Sequence, residues 1–146
     1  MAILNPYLTF PGNCEEAFKF YRSVLGGEFE YLGRFSEIPE NQGMIIPKEH
    51  KNKIMHVSLP VGHGNSLMGS DTTGEMGPAL VIGNNFSVSL GLDSKEETDR
   101  IFNGLSKGGN VIMPVGDVFW GSYYGMFTDK FGVNWMVSYT KEENKN

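Results

Sequence analysis

The sequence predicts an α+β fold, with two β-α-β-β-β modules forming a curved eight-stranded mixed sheet around a cleft. Three observations predict it. Two amphipathic helical segments, each closed by a Gly-Gly pair, start and stop about 82 residues apart. Each is preceded by one strand-like run and followed by three. The chain of 146 residues also carries 19 Gly and 7 Pro. That is too many for a helical bundle and lacks a collagen period, so it suits short strands joined by turns. A chain of this length is one ordinary domain, here 1–146, built of repeats at approximately 3–70 and 85–140.

The first run, ILNPYLTF, occupies residues 3–10. The first helix follows FPGN, with Asn13 as its cap and Glu16 three residues on, as in a capping box. Ala17, Phe18, Tyr21, Val24 and Leu25 recur on one side, and Gly26-Gly27 stops the helix. Three strands come next: EFEYLGRF (28–35), IMHVSLPV (54–61) and NSLMGS (65–70). Residues 36–53 are a long polar insertion with a mobile look. DTTGEMGPALVIGN (71–84) links the repeats and is expected to reach over the cavity or a partner. The second repeat opens with NFSVSLGL (85–92). Its helix is capped by Ser94 with Glu97 as reciprocal partner, carries Ile101, Phe102 and Leu105, and ends at Gly108-Gly109. NVIMPVGD (110–117), GSYYGMFTD (121–129) and VNWMVSYT (133–140) complete it. Val133, Trp135, Val137 and Tyr139 alternate with Asn134, Met136, Ser138 and Thr140. One half could not easily cover its own sheet, whereas two can share a larger core. The apolar side of each sheet takes a helix, and the other side lines the cavity.

Composition excludes several functions. Twelve Lys and Arg against 17 Asp and Glu give a net charge of −5. The densest basic group, Lys48, Lys51 and Lys53, is interrupted by Glu49, so no patch suits a nucleic-acid partner. No run approaches the roughly 20 apolar residues of a membrane span. MAILNPYLTF lacks the basic and apolar regions of a signal peptide. Cys14 is the single cysteine, which makes a reducing cytoplasm the expected location.

The segments YLTFPGNCEEAFKFYRSVLGG, MHVSLPVG, LMGSD, FWG and DKFGVNWM resemble the PhnB-like branch of the glyoxalase, bleomycin-resistance and extradiol-dioxygenase group, the vicinal oxygen chelate superfamily. The resemblance covers about residues 4–140. It implies the duplicated fold and a homodimer. It leaves function open, because the group includes isomerases, dioxygenases, thiol transferases and pure drug-binding proteins. In metal-dependent relatives four inward side chains, typically His or Glu, hold a divalent ion. Carried onto this chain, the four lie near Pro6 or Tyr7, near Met68, at Ser87 or Phe86, and at Met136. None is a His or a carboxylate, so no metal and no other cofactor is expected.

His56 is the leading polar candidate. Its strand parity, shared with Ser58, aims it toward the cavity, where an imidazole can act as base, acid or hydrogen-bond donor. A satisfied strand histidine is the alternative. His50 and His63 fall in loop and turn. Phe119-Trp120 and Tyr124 suit the rim of a site for a flat or apolar ligand, or else a core or dimer cluster. Tyr123 is expected to narrow that opening. Met68 and Met136 offer adaptable thioethers, and Tyr7, Ser87 and Ser89 offer hydroxyls. Asp71 could cap the cavity with a carboxylate or serve a turn. Asp129-Lys130 reads as a hairpin turn carrying an ion pair. Cys14, at a helix start, is either an activated thiol or a packed one. Two functions follow. One is a small-molecule binding protein that holds an apolar or aromatic compound without the usual metal. The other is a superfamily enzyme of lyase, isomerase or dioxygenase type using His56, with or without a divalent metal. A purely structural dimer module is the third class.

Overall fold

A computed structural model describes residues 1–39, 43, 45–74 and 78–141. Residues 40–42 and 44 of the expected insertion, and 75–77 of the expected link, lie outside the described residues. The chain divides into two compact units, Met1–Val81 and Ile82–Asn146. The division falls inside the expected link.

The first unit runs β1 (Tyr7–Phe10), α1 (Cys14–Leu25), β2 (Tyr31–Arg34), β3 (Ile54–Gly62) and β4 (Asn65–Asp71). Its four-stranded sheet has the order β1-β4-β3-β2. β1 is parallel to β4, and the other pairs are antiparallel. The second unit repeats the plan with β5 (Val88–Gly91), α2 (Lys95–Ser106), β6 (Asn110–Asp117), β7 (Ser122–Thr128) and β8 (Asn134–Thr140). Its sheet has the order β5-β8-β7-β6, with β5 parallel to β8. The eight expected strands therefore form two mixed sheets of four. Among the described residues, no helix is long and apolar enough to cross a membrane.

Strand boundaries differ from the sequence reading where side chains replace the backbone ladder. β1 starts at Tyr7 because Pro6 has no N–H to donate. Upstream, Asn5 Oδ1 accepts from Ser66 N (2.9 Å) and the Pro6 carbonyl accepts from Met68 N (3.1 Å). β5 starts at Val88 because Asn134 Nδ2 reaches the Gly83 and Phe86 carbonyls, both at 3.4 Å, in place of ladder bonds. The insertion expected to be loose is tied at its base. Phe35 N donates to the Lys53 carbonyl (3.1 Å), Ser36 N to Lys51 (2.9 Å) and Arg34 Nη1 to Asn52 (2.9 Å).

The cap of α1 is a correction. Asn13 makes no side-chain capping bond, and its Oδ1 is buried without a partner. The helix end is taken instead by Asp71, the last residue of β4. Its Oδ1 accepts from Cys14 N (2.9 Å) and its Oδ2 from Ile54 N (2.8 Å). A negative group at this end also complements the helix dipole. α2 has Ser94 as its cap, with Ser94 Oγ accepting from Glu97 N at 3.1 Å. α1 stops at Gly26 (φ 82°), whose N–H returns to the Arg22 carbonyl at 2.8 Å. After α2, Gly109 is required by space, since a Cβ there would strike the Thr128 carbonyl oxygen.

Each helix covers one face of its own sheet. Leu8, Phe10, Cys14, Ala17, Phe18, Tyr21, Val57, Leu59 and Leu67 form the first core, and Ile101, Phe102, Leu105, Phe127, Trp135 and Val137 the second. Each fully buried large apolar side chain contributes about 1.5–3 kcal/mol. In both units a helix phenylalanine lies on a strand glycine. Phe18 sits on Gly69 of β4 and Phe102 on Gly125 of β7, with hypothetical Cβ atoms only 2.8 Å from each ring.

Candidate functional site

The face of the first sheet turned away from α1 follows from strand parity. Leu8, Phe10, Val57, Leu59, Leu67, Gly69 and Asp71 point toward α1 and are buried. Tyr7, Thr9, His56, Ser58, Ser66, Met68 and Ser70 take the other side. One row crosses all four strands there, because Tyr7 pairs with Met68, Met68 with Ser58, and Ser58 with Tyr31.

His56 stands beside this row. Tyr7 Oη and His56 Nδ1 lie 3.1 Å apart, and the two rings stack at 5.6 Å with an interplanar angle of 20°. Tyr31 approaches from the opposite side, with centroids 5.7 Å apart and planes tilted by 36°. The Tyr31 ring reaches His56 by lying over Gly33, the residue paired directly with His56. A Cβ on Gly33 would meet Tyr31 Cε1 and Cζ at 2.8 Å. Tyr7 is 48% exposed and Tyr31 46%, so the cluster presents rings and a polar edge at the surface of this unit. Sequence reasoning found Tyr7, His56 and Met68 but missed Tyr31 and Gly33. The signal was available, since Tyr31 and Gly33 share one parity on β2 and Gly33 leaves room for the ring.

The matching face of the second sheet is softer. Ser89 pairs with Met136, Met136 with Met126, and Met126 with Met113, giving a serine and three thioethers in one row. The third implied ligand position, Ser87 or Phe86, lies two or three residues before Ser89 of this row. Ser89 opposes Met136 as Tyr7 opposes Met68, whereas Phe86 and Ser87 precede the first residue of β5. On the same face Tyr124 contacts Trp120 (5.7 Å, 67°), and Trp120 contacts Phe119 (4.9 Å, 88°). Phe119 is 97% exposed and Trp120 55%. Burial raises the Tyr124 phenol above its ordinary range. The structure thus brings Phe119, Trp120 and Tyr124 together. It does not place Tyr123 with them. Tyr123 turns toward α2 and donates to Asp99 Oδ1 (2.5 Å), which with burial pushes its phenol up to about 12.

Other polar candidates have structural work. Asp71 faces α1 and bridges two backbone amides, so it does not cap a ligand face. Asp129 Oδ1 accepts from Phe131 N (2.8 Å) and Val133 N (3.0 Å), and its Oδ2 from the Trp135 indole (2.8 Å). Cys14 is fully buried. Burial first, then the negative charges of Asp71 and Glu15, hold its thiol well above the ordinary value. It is the packed thiol and not an activated one. His63 occupies a tight turn at φ 53°, and His50 ends a short 3₁₀ turn, Lys48–His50.

The positions at which the resemblance implies metal ligands therefore carry a phenol, two thioethers and a hydroxyl. That donor set does not fit a hard or borderline divalent ion. Among the described residues, no group of three or more His, Cys, Asp or Glu side chains is placed to hold one.

Comparison with known proteins gives a consistent result. Residues 3–137 match the family model described as Glyoxalase/Bleomycin resistance protein/Dioxygenase superfamily. Protein YjdN of Escherichia coli (strain K12) is 34% identical over 149 residues, covering 96% of this chain and 97% of its own. The crystal structure of protein PA1353 from Pseudomonas aeruginosa is 43% identical, with a TM-score of 0.82, over 97% of this chain and 100% of that one. The PhnB protein of Bacillus cereus, at 23% identity, shares the fold with a TM-score of 0.72 over 95% of this chain and 100% of its own.

Proposed function

The chain belongs to the glyoxalase/bleomycin resistance protein/dioxygenase superfamily, and from that premise we propose that it binds an apolar or aromatic small molecule without the usual metal. The observation that carries this reading is the Tyr7–His56–Tyr31 cluster on the face of the first sheet turned away from α1. Its rings supply faces for stacking, and its hydrogen-bonded edge gives direction. Met68 beside it adds an adaptable thioether. In the second unit, Ser89, Met136, Tyr124, Trp120 and Phe119 offer contacts of the same chemistry. The implied metal positions favour binding over metal-dependent chemistry, because their atoms are poor ligands for such an ion.

The test is elemental analysis of protein purified without added metal, followed by an unbiased ligand screen on that sample. Substoichiometric metal is expected, together with hits weakened about tenfold by His56→Ala or Tyr7→Phe. Stoichiometric Zn, Mn, Fe or Ni would overturn the metal-free reading.

One observation favours a second reading. The 3.1 Å contact between Tyr7 Oη and His56 Nδ1 is also the geometry of an acid–base couple. A superfamily enzyme of lyase, isomerase or dioxygenase type would use His56 through it. Turnover of a screen hit, abolished in His56→Ala, would select that reading. We further propose a cytoplasmic homodimer. β6 ends its sheet with Val111, Ile112 and Met113 all exposed, an edge that a second copy would protect. Light scattering at the mass of a monomer would refute it.

A further inference from the structure

The Tyr7–His56 couple has a property that follows from counting hydrogens. A neutral imidazole carries one N–H and a phenol one O–H. Their mutual contact at 3.1 Å uses one of the two. If Oη donates to Nδ1, the remaining hydrogen is on Nε2. If Nδ1 donates to Oη, the phenol keeps its own. Either tautomer leaves one donor to spare, and a protonated imidazole leaves two. A ring-nitrogen acceptor exists in only one of these three states. The couple therefore keeps a spare donor in every state, beside the weak acceptor lone pairs of Oη.

The second component is the Tyr31 ring. It is laid along β2 because Gly33 has no Cβ, and it meets His56 at 5.7 Å from the strand that borders β3 on the side away from β4 and β1. Gly33 needs no unusual backbone conformation there, since its φ is not positive. Its role is the space it leaves.

We infer that this face takes a planar ring bearing one hydrogen-bond acceptor, an aryl ketone or an aryl carboxylate, whose acceptor meets the spare donor of the Tyr7–His56 couple. Gly33 is a positioning residue that sets the Tyr31 ring where the ligand's ring stacks. The inference rests on the binding reading above and adds the ligand's chemistry to it.

The experiment titrates the full chain with four matched probes while following the His56 imidazole resonances by NMR. The probes are acetophenone, benzoate, ethylbenzene and aniline. Acetophenone or benzoate is expected to shift His56 and to bind about tenfold tighter than ethylbenzene. The stronger of the two identifies the acceptor as a carbonyl or a carboxylate. Aniline is expected to bind no better than ethylbenzene. Tyr7→Phe combined with His56→Phe removes every donor of the couple and should abolish the advantage of the acceptor probes over ethylbenzene, whereas either change alone leaves one donor. Gly33→Ala should weaken every ring probe, and adding it to Tyr31→Ala should weaken them no further. A merely structural role for Gly33 would weaken both backgrounds alike. Circular dichroism checks that each variant folds, and Tyr31→Ala alone tests the stacking if Gly33→Ala does not. Equal affinity of acetophenone, benzoate and ethylbenzene at this face overturns the acceptor inference and leaves the binding reading standing. Screen hits that never perturb His56, with no probe binding, overturn both.

Discussion

Asp71 gives the sharpest test of how the first unit is held. Its carboxylate is 4% exposed and joins three elements, the end of β4, the start of α1 and the start of β3. Asp71→Ala would leave the Cys14 and Ile54 amides buried without an acceptor. Each orphaned buried donor costs about 1–3 kcal/mol, and losing the negative group at the helix start adds about 0.3–1 kcal/mol. Allowing for some entry of water, the expected loss is about 3–5 kcal/mol, a large share of the ~5–15 kcal/mol typical of a domain. Asp71→Asn keeps one acceptor oxygen but turns an amide hydrogen toward the other N–H, and should lose about 2–3 kcal/mol. Urea unfolding followed by far-UV circular dichroism measures the loss. Hydrogen exchange locates it, since Cys14 and Ile54 amides should exchange roughly 150- to 5,000-fold faster in the alanine variant. A loss under about 1 kcal/mol, with exchange at both amides unchanged, would refute the reasoning.

Four further outcomes are expected. Gly69→Ala would press a Cβ to 2.7 Å from the Leu8 carbonyl and 2.8 Å from Phe18, and Gly125→Ala to 2.8 Å from Phe102; each should cost about 1–3 kcal/mol in thermal unfolding, with Phe102→Leu partly relieving the second. The Cys14 thiol is raised in the fold, so the folded chain keeps a proton that the unfolded chain releases. That contribution is whole below the ordinary thiol value of 9.0 and falls as pH rises beyond it, and a thiol reagent near neutral pH should label Cys14 only as fast as the chain opens. Tyr123 behaves alike between its ordinary 10.0 and about 12, so Tyr123→Phe should flatten the loss of stability over that alkaline range in pH-dependent urea titrations. Glu15 is lowered, chiefly by its bond to Arg34. Its contribution is present above the ordinary 4.5 and lost as pH falls through the folded value, yet both side chains are 33% exposed, so Glu15→Gln should cost under about 1 kcal/mol and less in high salt.

Local signals were legible in the sequence. β6 runs over the expected residues, Ser94 caps α2, and the Gly-Gly pairs follow both helices, because each depends on neighbours a few residues apart. What escaped depended on distance along the chain. Asn13 has the right chemistry for a cap, but Asp71 is 57 residues away and wins the helix end through β4. The starts of β1 and β5 were hidden for a similar reason, since Asn5 and Asn134 act across their sheets. At the candidate site, parity placed His56 on the face turned away from α1. It could not show the Tyr7 contact, which needs β1 to join β4, nor the Tyr31 ring folded over Gly33. Tyr123 was read by its proximity to Tyr124, although neighbours in a strand face opposite ways.

The long reach of Asp71 also bears on how the chain is made. A ribosome adds about 5–20 residues per second. The carboxylate that closes the end of α1 follows Cys14 by 57 residues, and so arrives roughly 3–11 seconds after it at those rates. β1 waits as long, because its partner strand is β4. During that interval a helix of 12 residues is too short to persist by itself, and the apolar side chains of β1 and α1 have no sheet to cover. Closure of the first unit therefore waits on β4, the strand that supplies both the partner of β1 and the carboxylate at the end of α1.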